Sequence, residues 1–287
     1  MCLIVLAHRQ HPRYPLLVAA NRDEFYRRPT AAAELWAEYP NLLAGRDLVA
    51  GGTWLGITCE GRFAAITNHR RADAVTEMPH SRGLLTLNFL RGETSAANYL
   101  ADLQGHGAGY AGFHLLLGEA GDMYYYSNVE GPVQVLPPGV YGLSNASLGS
   151  AWPKVKRGKE AIQAIIDSGD EPSLNRLSAS VANRRPARDH ELPNKGTDLE
   201  FERSLSPQFI VTPEYGTRAT TSLRVAASGE VQFRESNFLA GGVAAFSRDF
   251  VLNPGGREKS RSDPCPTEKS AAAGAQTANY PDSSPAP

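Results

Sequence analysis

CLIVLAHRQHPRYPLLVAANRDEF, residues 2–25, is the stretch whose reading decides the fold. Two apolar runs rich in β-formers flank HRQHPRYP, a polar, proline-containing segment that reads as a hairpin connection. Antiparallel pairing sets the end of the second strand beside the start of the first. That brings Asn21, Arg22, Asp23 and Glu24 toward Cys2. With Met1 trimmed, a step that a small second side chain permits, Cys2 carries both a free α-amine and a thiol: a nucleophile with its own base. In this arrangement the Asp23 carboxylate lies near the Cys2 amine and holds it in its charged form, while Arg22 favours the thiolate. The alternative readings are plain. A lone cysteine is commonly a small core hydrophobe, and a run of four polar residues at a strand end is commonly a surface turn.

Further strand candidates follow. GTWLGIT and RFAAITN flank CEG, FHLLLG and MYYYSN flank EAGD, and VYGLSN follows LPPG. Late in the chain come QFIVT, TTSLRVA and EVQFRE, with ASG turning between the last two. Helices are expected in SRGLLTLNFLRG, capped by Ser81, in TSAANYLADLQG, capped by Thr94, and in AWPKVKRGKEAIQAIIDSG. Blocks of strands alternating with blocks of helices indicate an α+β fold with largely antiparallel sheets. Residues 184–207 follow neither period and read as a long surface loop. From Pro254 onward there is no Leu, Ile, Val, Phe, Met or Trp, so the expected organisation is one folded domain over 1–253 and a disordered tail over 254–287, with Cys265 incidental to it.

Composition narrows the function. The 287 residues carry 29 Lys+Arg against 30 Asp+Glu, a net charge of −1. Such balance speaks against a general nucleic-acid or membrane-surface role. Cys2, Cys59 and Cys265 are too few and too scattered for a disulfide framework. No secretory signal is legible and no apolar run approaches a membrane span, so the expectation is a cytoplasmic protein that meets a small molecule, without nucleic acid or a membrane span. The seven histidines form no HExxH, and no cysteine pair has zinc spacing, so no metal is expected. GAGYAG at 107–112 has dinucleotide-fingerprint spacing, but a helix precedes it and a strand follows, the reverse of what that chemistry needs.

In order along the chain, MCLIVLA, NRDE, GGTWLGI, AAITN, YGLSNASL…WPKV and YGTRATT resemble the NRDE family, that of the animal transport-and-Golgi-organisation protein 2, over about the first 250 residues. That family in turn resembles N-terminal-nucleophile hydrolases of the penicillin V acylase and bile salt hydrolase type. The resemblance implies a four-layer αββα sandwich with Cys2 as nucleophile, Asp23 as its aspartate and Arg22 as the first arginine. It also implies oxyanion donors at Asn145, with Asn68 as a second amide, and a late arginine at Arg218. Arg22 fits least well, because in the hydrolases the arginine and aspartate are not adjacent. Asn68 and Asn145 could instead satisfy loop backbone, and Arg218 could bridge to a surface acid. GGTWLGI reads structurally, with Trp54 in the core and the glycines allowing close backbone approach.

The implied activity is cleavage of an amide or acyl (C–N or thioester) bond of a small molecule, with no cofactor required. The family resemblance also allows a carrier of haem or of acyl-CoA and lipid, with haem as cargo. His69 and His114 are conceivable ligands for it, although strand histidines are more often satisfied within the fold. Substrate and oligomeric state are not legible.

Overall fold

The computed structural model describes residues 2–70, 78–119, 121–193 and 198–253. The tail expected over 254–287, Cys265 included, lies outside the described residues.

The opening hairpin forms as its pattern requires. β1 (Cys2–His8) pairs antiparallel with β2 (Leu16–Phe25), and the register sets Cys2 opposite Arg22. Sheet A adds β10 (Gly139–Leu143), β11 (Tyr215–Val225), β12 (Val231–Phe238) and β13 (Ala244–Leu252), in the order β10-β1-β2-β11-β12-β13. Sheet B runs β3-β4-β5-β6-β7-β8-β9. Its members are β3 (Thr30–Trp36), β4 (Tyr39–Asp47), β5 (Leu55–Thr58), β6 (Phe63–Asn68), β7 (Phe113–Glu119), β8 (Asp122–Ser127) and β9 (Gly131–Val135). The ladders of both sheets are antiparallel.

Three apolar clusters hold four layers together. Alternate residues of a strand face opposite sides of its sheet. Leu3, Val5, Leu17 and Ala19 therefore pack outward against Val155 and Ile162 of α3 (Pro153–Asp167) and Leu177 of α4 (Leu174–Ala179). Ile4, Leu6, Val18 and Ala20 face inward and meet Leu43, Ile57, Phe63 and Leu116 of sheet B. The outer side of sheet B packs Ala64, Ile66 and Leu115 on Leu85 and Phe89 of α1 (Gly83–Arg91) and Leu100 of α2 (Ala96–His106). The molecule is an α+β sandwich, layered αββα.

Several elements differ from the sequence reading. β3, β4, β9 and β13 had no strand signal strong enough to find; β3 is TAAAELW, helix-forming by composition, and takes strand form because Ala33 and Trp36 are buried against its neighbours. Residues 208–212 form no named strand, contributing only an isolated bridge from Val211 to Gly216. The segment read as a loop contains α5 (Leu199–Leu205), capped by the Asp198 carboxylate on the N–H groups of Glu200 and Phe201. Ser95, not Thr94, caps α2, and α1 begins without a side-chain cap.

Candidate active site

At one end of the sandwich the sheets part around a cleft of about 820 Å³. Cys2, Arg22, Asp23 and Asn68 line it, together with Trp54, His69, His80, Arg82, Arg28 and Asp47. Its position follows from the hairpin, since β1 begins and β2 ends here.

Both hydrogen-bonding groups of Cys2 turn toward the loop after β10. Its nitrogen donates to Asn145 Oδ1 at 3.3 Å, and its carbonyl accepts from Ser144 Oγ at 2.8 Å. Cys2 and Arg22 are therefore a non-hydrogen-bonded cross-strand pair, the kind in which side chains approach most closely. The Arg22 guanidinium is held from three sides: it donates to Thr30 Oγ1 at 3.0 Å and to Asp47 Oδ2 at 3.3 Å, and it lies 4.3 Å from the centroid of the Trp54 ring. Arg28 shares Asp47, its Nε donating at 2.7 Å. Burial alone would raise Asp47, but the Arg28 hydrogen bond, turn amides and the Arg28 charge bring it below the usual carboxylate range.

The four residues NRDE lie within β2, not in a turn beyond it, and alternate between two faces. Arg22 and Glu24 share the Cys2 side, whereas Asn21 and Asp23 face the helices. Asn21 donates to the carbonyls of Val181 and Gln208, both at 2.8 Å, and accepts from Thr220 Oγ1 at 2.6 Å, which ties helix-side loops to the sheet. Asp23 Oδ1 accepts from Thr217 Oγ1 at 2.7 Å, and Lys154 of α3 is among the charges that act on it. Asp23 also acts on Cys2, its carboxylate charge raising the thiol and its backbone amide lowering it. Burial pushes the Asp23 carboxyl up, against the pull of the N-terminal amine, Lys154, Thr217 and Arg22.

The thiol differs from the expectation in its charge. Burial pushes Cys2 above the ordinary thiol value, reinforced by the Asp23 charge; the charge of the chain's N-terminal amine, then the Asp23 amide and Arg22, pull the other way and do not prevail. A guanidinium already shared with Asp47 and Trp54 offsets only part of the desolvation.

Asn145 is buried and clamps the two sheets at the cleft. Its Oδ1 receives the Cys2 nitrogen, its Nδ2 donates to the Asn68 carbonyl at 2.7 Å, and its own carbonyl accepts from the Arg70 N–H at 3.0 Å. Asn68 ends β6 and is exposed on the cleft wall. Arg218 is not in that wall. Its Nη1 donates to the carbonyls of Phe25, Tyr26 and Arg28, holding the turn after β2. Trp54, expected in the core, packs against the inter-sheet core and also lines the cleft, where Gly45 gives it room: a Cβ there would lie 2.3 Å from the ring. The glycine expectation holds at Gly52, whose added Cβ would lie 2.4 Å from the Gly83 backbone.

A family model described as Transport and Golgi organisation 2 matches residues 1–240. The chain belongs to that family. The Transport and Golgi organization protein 2 homolog of Bos taurus is 34% identical over 259 residues, covering 83% of this chain and 94% of its own. The Homo sapiens homolog is 32% identical over the same length and coverage, and the Drosophila melanogaster protein of the family is 28% identical over 263 residues, covering 82% of this chain and 91% of its own. Among solved structures, a Caenorhabditis elegans ortholog of N-acylethanolamine-hydrolyzing acid amidase aligns with 77% of this chain and 92% of its own, at a TM-score of 0.47 and 8% identity.

Sequence reasoning missed Arg28, Asp47, Arg82 and His80. Arg82 lines the cleft, donates to the Gly112 carbonyl at 3.2 Å and has no ion-pair partner among the described residues; burial lowers its pKa. No local signal marks these residues, because they meet only when loops of both sheets close on the cleft. His69 and His114, weighed as haem ligands, bond to each other: His69 Nδ1 and His114 Nε2 are 3.0 Å apart. Glu130 Oε1 lies 3.7 Å from His114 Nδ1, and one ligand atom each from His69, His114 and Glu130 lies within 4.8 Å of the other two, so the cluster could also hold a metal ion.

Proposed function

We propose that the cleft is an acyl-transfer site in which Cys2 is an N-terminal nucleophile acting on an amide or acyl (C–N or thioester) bond of a small molecule. The observation that carries this reading is the placement of Cys2: it lines a large cleft, stands opposite the fixed Arg22 in the β1–β2 register, and has its nitrogen held by Asn145. Removal of Met1 turns that nitrogen into an amine. A thiol kept protonated by burial needs such a base, and the amine takes the proton as sulfur attacks the carbonyl. The second Nδ2 hydrogen of Asn145 and the Asn68 amide are the candidate oxyanion donors, and loss of one such donor typically costs about 10²–10³-fold in rate. Arg22 holds positive charge beside the sulfur, and Arg218 acts one step back, by bracing the turn after β2. No cofactor is required by this chemistry.

The size of the cleft and its apolar wall of Ile66, Met78, Tyr110 and Val129 support a second reading, a carrier for haem or an acyl-CoA or lipid chain. Cys2→Ala separates the two. In the enzyme reading it abolishes turnover of amide and thioester substrates, and retained turnover refutes that reading. In the carrier reading, haem or acyl-chain binding by the wild type survives the substitution. No helix among the described residues is long and apolar enough to cross a membrane. A cytoplasmic location remains part of the proposal, to be checked by cell fractionation.

A further inference from the structure

From the cleft wall, across the end of sheet B to the turn between β8 and β9, runs an unbroken line of polar groups. His69 Nδ1 is 3.0 Å from His114 Nε2, His114 Nδ1 is 2.8 Å from Tyr125 Oη, and Tyr125 Oη donates to Glu130 Oε2 at 2.6 Å. His114 and Tyr125 are buried, Glu130 is exposed, and His69 lines the cleft. We propose that these four residues form a proton relay joining solvent to the Cys2 cleft, with His69 as its cleft-side member. The proposal rests on the acyl-transfer reading for its purpose, and on geometry alone for its existence.

The protonation of each member follows from what it can donate. An ionised carboxylate only accepts, so the Tyr125 hydroxyl gives its hydrogen to Glu130. The Tyr125 oxygen must then accept from His114, which places the His114 proton on Nδ1. His114 Nε2 consequently accepts, and the proton it receives is on His69 Nδ1. The basic nitrogen of His69 is therefore Nε2. A proton taken there sends the Nδ1 proton to His114 Nε2, the His114 Nδ1 proton to Tyr125, and the Tyr125 proton to Glu130, which releases it to water. Each middle member gains one proton and loses one. The reverse sequence reloads the chain and can protonate a leaving group.

The surroundings suit transfer without charge storage. Burial lowers His114 to about 4, against the pull of Glu130, so it is neutral at neutral pH. Burial and Glu130 push Tyr125 far up, so it holds no anion. On the cleft side the charged and titratable groups include His80 and Arg82 besides Cys2, Arg22, Asp23 and Asp47.

Long-range nitrogen NMR of the full chain at pH 7, assigned with His69→Gln and His114→Gln, reads the pattern without any substrate. The relay requires Nδ1–H on both rings; Nε2–H on either overturns it. Stoichiometric Zn²⁺ uptake that His114→Gln abolishes would assign the cluster to a metal and overturn it as well. For its purpose, p-nitrophenyl acetate is used to acetylate Cys2, and release of the acetyl group is followed. His69→Ala and Tyr125→Phe should each slow release roughly ten-fold or more, with added imidazole restoring His69→Ala, in line with general acid–base contributions of about 10²–10⁴-fold. Unchanged release in both variants overturns the role in acyl transfer. Failure of the wild type to acetylate at all refutes the acyl-transfer reading, while the ring tautomers still decide the relay.

Discussion

At the scale of single residues, the site is governed by what burial does to charge. Cys2 pairs with an arginine, yet its thiol pKa is raised, because removal of a thiolate from water outweighs a guanidinium already shared with Asp47 and Trp54. Alkylation of Cys2 by iodoacetamide should therefore rise with pH along a curve centred above the ordinary thiol value of about 8.5. A curve centred below it would show that the N-terminal amine and Arg22 together outweigh burial. Arg22 itself is a buried cation with two hydrogen bonds to side chains. Removing one partner of a buried ion pair costs about 3–5 kcal/mol; Asp47 keeps Arg28, so Arg22→Met should fall at the low end, about 3 kcal/mol, read by urea unfolding.

Among elements, the contacts between the sheets decide stability around the cleft. Glu235 of β12 is buried and accepts the Ala33 N–H at 2.7 Å, across the gap to β3, where the register shifts. Burial raises its carboxyl above the usual value, outweighing the Ala33 and Asn237 hydrogen bonds and Arg22. The raised folded value means that its contribution is fully present below the unfolded value near 4.3 and is lost as pH rises through the folded value. Glu235→Gln keeps an acceptor for Ala33 without the charge, so it should match or exceed the wild type in stability at pH 7. Glu235→Ala should cost about 1–3 kcal/mol by stranding that N–H. Glutamine less stable than alanine would contradict the assignment. Asp47 has the opposite sign: its lowered value gives stability above the unfolded carboxylate range that disappears as pH falls. At the cleft rim, Gly52→Ala drives a Cβ into the Gly83 backbone, and the overpacking should cost about 1–3 kcal/mol in thermal unfolding.

For the whole molecule, four layers and three cores leave a wide opening at one end, and β1 begins there. The opening hairpin was legible because its apolar runs, its proline-containing connection and the polar cluster after them are all local, and local patterning also placed α1, α2 and α3. β3 and β4 were not legible, since their strand form comes from neighbours far along the chain that override an alanine-rich composition. The site divides in the same way. Cys2, Arg22 and Asp23 could be read because one hairpin carries them, and Asn68 and Asn145 through family resemblance. Arg82, Asp47 and the line from His69 to Glu130 exist only once two sheets and their loops have met. The face on which Asp23 lies was equally hidden: proximity along a hairpin does not say which side of the sheet a side chain takes, and strand alternation gives it to the helices.

The central claim is that Cys2 becomes a terminal nucleophile, and the most direct measurement is mass spectrometry of the N-terminal peptide after exposure to p-nitrophenyl acetate. The account predicts a peptide that lacks Met1 and carries an acetyl group on the Cys2 sulfur, absent from Cys2→Ala. A peptide that retains Met1 in protein that is acetylated and turns over, or a Cys2 left unmodified while acyl substrates are consumed, would contradict it.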